Sequence, residues 1–190
     1  MLQDAGCDAV FCPDDDEMYG QPSLLKVEFG LMDKVMEGKF RPGHFSGVAV
    51  VVSKLFNIIQ PDSAYFGQKD WQQFAIIRQL VDELKFNLTL KSVPIVREPD
   101  GLAMSSRNLR LNQTQRAHAN IYFQALTWAK KELQKGTDLQ VVKQGAKEMV
   151  DQTPEMRLEY LELADRKYLN ILERDNDNTG ILCIAGYAGD

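Results

Sequence analysis

Apolar positions in the middle of the chain switch between two periods, and each switch marks an element. Val48, Val51, Val52, Leu55, Phe56 and Ile59 recur at three- and four-residue spacing, which predicts an amphipathic helix from Phe45 onward, ended by the Gln60-Pro61-Asp62 turn. Ala64-Tyr65-Phe66 is then a short apolar run closing on Gly67, as a strand would. Phe74, Ile77, Leu80, Val81 and Leu84 return to helical spacing, and residues 87–96 return to β-type side chains. Helix, strand, helix, strand in that order predicts a parallel sheet with crossover helices. Ligands of such sheets bind where strands end and helices begin, so the Gly67-Gln68-Lys69-Asp70 junction is a candidate site.

The flanking regions read differently. MLQDAG predicts the last turn of a helix closing on Gly6, and DAVFCP a short buried strand. After Pro99, Asn112 and Gln115 form an N-cap box ahead of a helix whose apolar positions run from His118 to Leu133 and stop before Gly136. A second helix is predicted over Leu139 to Val150. Met156 to Leu163 and Ile181 to Tyr187 then read as strands, separated by the turn-forming stretch ERDNDNTG. The fold class is therefore α/β: a partial Rossmann-like parallel sheet in residues 1–95, followed by a small α+β unit in residues 96–190. The boundary falls near Pro94 to Glu98, and no internal repeat or low-complexity tract interrupts either part.

Composition narrows the function more than the fold. At 190 residues with 44% apolar and 26% charged side chains, the chain matches neither a disordered nor a membrane class. No apolar run approaches the roughly 20 residues that span a bilayer, and the N-terminus lacks a secretory pattern, so a cytoplasmic location is expected. The net charge of −5 argues against nucleic acid as a partner while leaving room for local basic spots that hold a small phosphorylated ligand. Cys7, Cys12 and Cys183 have neither disulfide nor zinc spacing and read as small buried hydrophobes.

Three stretches carry candidate chemistry. At Phe66 to Gln73 (FGQKDWQQ) a glycine permits close backbone approach, a helix start offers free amides to an anion, and Lys69 adds a mobile charge, with Gln73 one helical turn further on. Met104-Ser105-Ser106-Arg107 sets two hydroxyls beside a guanidinium, all natural donors to phosphate oxygens. Arg41-Pro42-Gly43-His44-Phe45 is a turn whose histidine reads first as a structural hydrogen-bonding residue, as does His118 in its helix. Taken singly, each stretch also fits a solvated surface turn. There is no nucleophile elbow, P-loop or metal-ligand spacing, so no covalent nucleophile is indicated.

In their order along the chain these stretches are far more specific. EGKFRPGHFSGVAVVVSKLFNIIQPDSAYFGQKDWQQ followed by VPIVREPDGLAMSSRN closely resembles the pantothenate synthetase, or pantoate-β-alanine ligase, family of the nucleotidyltransferase superfamily. The resemblance runs from Ala5 to about Leu111 and thins to helix pattern and LEYLELAD beyond it. It implies a Rossmann-like ATP-binding domain, covered by a small C-terminal domain, that condenses pantoate with β-alanine using ATP and Mg2+. By the same resemblance Gly67, Gln68, Lys69, Asp70, Val96, Met104, Ser105, Ser106 and Arg107 contact ATP, with Lys69, Ser105, Ser106 and Arg107 stabilising charge. Gln73 matches the pantoate-holding glutamine, and Arg41 and His44 lie near the site without an assigned role. A homodimer is implied as well.

The family pattern also contains an HxGH-type motif near its first strand, and no HxGH occurs in these 190 residues. The chain therefore reads as the C-terminal two thirds of the enzyme, with unpaired sheet edges and poor or no activity on its own. The alternative is a non-catalytic module that only binds nucleotide or self-associates.

Overall fold

The computed structural model describes residues 2–21, 23–175 and 179–189. Its first half contains the helix-strand-helix-strand series. A short helix α1 (Asp15–Tyr19) and a five-residue helix α2 (Met36–Phe40) precede α3 (His44–Ile59), β1 (Ser63–Gly67), α4 (Trp71–Leu84) and β2 (Thr89–Val93). β1 and β2 pair in parallel, in register from Ser63 opposite Thr89 to Gly67 opposite Val93. Both helices end in left-handed residues, Gln60 and Lys85, whose amides close back onto the last turn. α3 and α4 cover one face of the sheet: Ala64, Phe66 and Leu90 pack on Ala49, Val52, Phe56, Ile77 and Leu80. On the opposite face Tyr65 and Val93 are exposed, and the Lys91 ammonium donates to the Tyr65 hydroxyl at 3.3 Å.

The second half is helical and then antiparallel. α5 (Gln113–His118) begins with the expected box, the Gln115 amide donating to Asn112 Oδ1 at 2.8 Å and the Asn112 amide to Gln115 Oε1 at 3.0 Å. The predicted continuous helix from His118 is broken: α5 stops there, and α6 (Ile121–Gln134) starts after Ala119 and Asn120. α7 (Leu139–Asp151) is capped by the Asp138 carboxylate. β3 (Met156–Asp165) and β4 (Gly180–Ala188) pair antiparallel, with an irregularity between Leu158 and Tyr160. Ala125, Ala129, Val142, Ala146 and Val150 bury against Met156 and Leu161, so two small-residue helix faces close on one sheet face. Residues 176–178 of the predicted turn lie outside the described residues.

Tyr122 fastens α6 to both strands. Its hydroxyl donates to the Tyr187 carbonyl at 2.6 Å, with the Arg157 carbonyl 3.1 Å away, and burial pushes its pKa up to about 12. An unfolded tyrosine titrates near 10, so the contribution of this group is fully present below pH 10 and is lost as pH rises through 12. Tyr122→Phe is expected to cost about 1 kcal/mol at neutral pH. It should also flatten the alkaline fall in stability, a difference that denaturant unfolding at pH 8 and above would register.

Two expectations are corrected here. Residues 8–13 form no strand: the segment is exposed, with Val10 at 62% and Phe11 at 50%, and no described strand lies beside it to supply a ladder. Its apolar residues gave the β-like pattern, but pairing rather than pattern makes a strand. The cysteines also divide. Cys7 and Cys12 are exposed, while Cys183 on β4 is half-buried, and burial pushes its thiol up to about 12, which disfavours the thiolate.

A third cluster joins the halves. Met32, Met36, Phe45, Ala75 and Ile76 pack with Ala164 and Leu169 from the end of β3 and the turn after it. The Arg78 guanidinium of α4 reinforces the junction, donating to the carbonyls of Arg166 at 2.8 Å and Lys167 at 3.0 Å.

Candidate functional site

Both parallel strands deliver their chain to the same edge. β1 ends at Gly67, and Gln68–Asp70 then make one turn of 3-10 helix that runs into α4. Gly67 is in the extended region, and a Cβ there would meet nothing within 4 Å, so the backbone at this corner is open to a ligand. The Gln68 amide reaches across to Ser92 Oγ on β2 at 3.3 Å. Lys69 is exposed and lies 3.1 Å from Asp70 Oδ1. Such an exposed pair stabilises little and leaves the ammonium free to swing to a stronger anion. Gln73 is half-buried in the first turn of α4.

β2 is followed by a small hairpin. Met104 N donates to the Val96 carbonyl and Glu98 N to the Leu102 carbonyl, at 2.9 and 2.8 Å, with Arg97 bridged to Ala103. The turn needs glycine at Gly101, where φ is +94° and a Cβ would overlap the Phe123 ring of α6. Arg97 lies over the same ring, 4.1 Å from its centroid, and donates to the Gly101 carbonyl. Asp100 accepts from Arg116 on α5 at 2.5 Å and from the Leu102 amide, which holds its carboxyl below the usual carboxylate range. The hairpin is thus bolted to the α5–α6 corner by its turn, and its returning strand leads into Ser105.

Ser105 caps a five-residue 3-10 turn, Ser106–Arg110, by accepting from the Arg107 amide at 3.2 Å, while the Asn108 side chain donates to the Ala103 carbonyl. Met104, Ser106 and Arg107 remain exposed. The Arg107 guanidinium makes no hydrogen bond or ion pair among the described residues, but it is close enough to His44 to help hold that imidazole below its ordinary pKa. Burial is the largest cause of the lowering, Arg41 the next, and Glu37 opposes it.

Arg41 and His44 flank the bend between α2 and α3. Arg41 pairs with Glu37 Oε1 at 2.5 Å, and His44 Nε2 lies 3.8 Å from the same oxygen. On β3, Tyr160 stacks on Phe40 and feels both the Glu37 and Asp70 carboxylates; burial, more than these, raises its pKa. Two of the stretches singled out in the sequence are tied together, the Lys69–Asp70 corner and the Arg41–His44 bend, through the bond between Gln72 of α4 and the Glu37 amide, and the Arg107 charge is felt at His44. Val96 joins them through its carbonyl bond to Met104, although its side chain is 63% exposed.

Sequence reasoning missed three contributors. Glu37 stands four residues before Arg41, a helical pairing distance that was legible in principle. Tyr160 sits in an alternating strand and Gln72 in a helix between Trp71 and Gln73, with no local signal for either.

The match to known proteins covers the whole chain. Residues 1–190 fit the family model described as pantoate-beta-alanine ligase. The chain belongs to the pantoate-β-alanine ligase family. The pantothenate synthetase of Cytophaga hutchinsonii is 46% identical over 189 residues, covering 98% of this chain and 67% of that protein. That of Corynebacterium glutamicum is also 46% identical, over 92% of this chain and 62% of its own. Among solved structures, a Thermus thermophilus pantothenate synthetase superposes with a TM-score of 0.87 at 37% identity, over 98% of this chain and 70% of that one. A Francisella tularensis pantoate-beta-alanine ligase, solved with beta-gamma ATP and beta-alanine, superposes with a TM-score of 0.73 at 30% identity, over 99% and 63%. The chain thus spans about two thirds of the length of the ligases it matches.

Proposed function

We propose that this chain carries the nucleotide and pantoate sites of a ligase that joins (R)-pantoate to β-alanine through a pantoyl adenylate. A pantoate carboxylate oxygen attacks the α-phosphorus of ATP, the bond to the bridging oxygen breaks, and pyrophosphate leaves. The β-alanine amine then attacks the activated carbonyl, the bond to AMP breaks, an amine proton passes to solvent, and pantothenate and AMP are released. The observation that carries this reading is the gathering of Lys69, Arg107 and the Arg41–His44 bend at the carboxyl edge of a parallel sheet, in a chain whose family is fixed over its full length. The beta-gamma ATP and beta-alanine named with the Francisella relative support it.

The family resemblance, together with these positions, supports a role for each residue. Arg107 offers unengaged positive charge, and Lys69 a charge held only by the exposed Asp70 pair, to the phosphates, where negative charge grows as pyrophosphate departs. Ser105 holds the turn that presents Arg107, and Ser106 presents its hydroxyl beside it. Gly67, Gln68 and Asp70 line the corner for ATP, the Val96 and Met104 backbones border the adenine side, and Gln73 holds pantoate from α4. The second transfer needs alignment more than proton transfer, because AMP is a good leaving group.

No group of three or more His, Cys, Asp or Glu side chains converges among the described residues, so those residues offer no cage for a metal. Mg2+ would arrive on the ATP phosphates, its usual mode. We take residues 1–95 as the nucleotide-binding part and 96–190 as the covering part, in a cytoplasmic homodimer. The net charge of −5 accords with small-molecule substrates rather than nucleic acid. Among the described residues no helix is long and apolar enough to cross a membrane.

The test is AMP release by the 190-residue chain given ATP, Mg2+, pantoate and β-alanine, with each omitted in turn. AMP that requires both pantoate and β-alanine is the expected product of a complete site. ATP binding without AMP would favour the nucleotide-binding module instead, and no ATP binding would overturn the site.

A further inference from the structure

Among the described residues Gln72 is the one buried polar side chain, 5% exposed, and all of its bonds go to a single distant backbone segment. Its Nε2 donates to the carbonyls of Met32 at 2.8 Å and Val35 at 2.9 Å, and its Oε1 accepts from the Glu37 amide at 3.0 Å. Val35 and Glu37 are the two neighbours of Met36, which has a φ of +45°, a left-handed conformation that a methionine adopts only under constraint. Gln72 therefore grips the backbone on both sides of a strained residue, while the Met36 side chain is buried at 3% in the cluster beneath.

That strained turn launches α2. Glu37 is its second residue, and the Glu37 carboxylate holds Arg41 and neighbours His44. Gln72 itself stands two residues after Asp70, on the helix that begins at the Lys69 corner. One side chain thus connects the two walls of the site.

We propose that Gln72 is a positioning residue, which sets the Glu37–Arg41–His44 bend against the Lys69–Asp70 corner by fixing the left-handed turn at Met36. Calling this surface a site rests on the ligase reading; the mechanical link does not. An apolar side chain of similar size could fill the volume, but it could not hold Met36 in place.

The experiment reads the link without any substrate. The chain has two histidines, His44 and His118, so NMR titration resolves each. In Gln72→Met, Glu37 should leave the imidazole, and the His44 midpoint should fall below its wild-type value while that of His118 stays put. An unchanged His44 midpoint in a folded variant would overturn the proposal. Should the variant not fold, hydrogen exchange on the wild-type chain decides: the Glu37 amide and the Gln72 side-chain amide should both be slowed strongly, and free exchange of either would end the idea. Failure of ATP to bind the wild-type chain would instead count against the ligase reading and leave these readouts unaffected. If the chain releases AMP, Gln72→Met should lower kcat more than it raises the KM for ATP, because the Lys69 corner itself is untouched.

Discussion

Arg107→Ala is expected to slow adenylate formation about a hundredfold or more, the loss of about 3 kcal/mol that follows removal of one preorganised donor to a developing charge. Lys69→Ala should fall in the same range, and both should weaken ATP binding, since a charge-assisted hydrogen bond contributes roughly 1.5–3 kcal/mol. Neither should lower the melting temperature appreciably, because both side chains are exposed and Arg107 holds nothing in place. Arg107→Ala has a second expected effect that requires no substrate. The guanidinium helps depress the His44 pKa, so its removal should raise the His44 titration midpoint. Unchanged ATP binding in both variants would remove these residues from the site; an unmoved His44 would show that the Arg107 turn does not face the Arg41–His44 bend.

The largest structural effect is expected at the hairpin. Gly101→Ala imposes two costs together: a side chain at φ +94°, and a Cβ driven into the Phe123 ring. Backbone strain of order 1–3 kcal/mol and overpacking of similar size predict a loss of about 3 kcal/mol, a large share of the stability of a chain this size. Because the same turn carries the bonds to Arg97 and Arg116, its displacement should also misplace Ser105 and Arg107. Urea unfolding together with ATP titration would separate the two effects, with Asp100→Ala as a milder control that loses the Arg116 pair without the clash. A Gly101→Ala protein as stable as the parent would mean that the hairpin is not docked on α6.

The sequence disclosed the elements that bury a regular face. α3 and α4 are amphipathic over four turns or so, and β1 ends at a glycine, so periodicity alone located them. The Asn112 box marked a further helix start by side-chain chemistry. Where pattern misled, the missing ingredient was a partner: residues 8–13 are apolar enough for a strand but have no described ladder to join. The break after His118 was invisible because Ala119 and Asn120 carry no strong helix-stop signal.

The candidate site divides along the same line. Lys69, Ser106, Arg107 and His44 stand in short, compositionally odd stretches, and such stretches can be recognised one at a time. Their convergence could not be, because it depends on Gln72 reaching back 35 positions to Glu37, and on Tyr160 arriving from β3. A glutamine in a helix and a tyrosine in a strand carry no mark of what they meet in space.

The cluster in which Phe45 packs with Leu169 joins residues more than a hundred positions apart along the chain. Contacts of that range form only after a long loop has closed, at an entropic cost that local helices and hairpins never meet. α3, α4 and the α6–α7 pair can each assemble early from near neighbours. The floor beneath Met36 and His44 cannot, so the surface that would bind ATP is expected to become native only after the two halves have met.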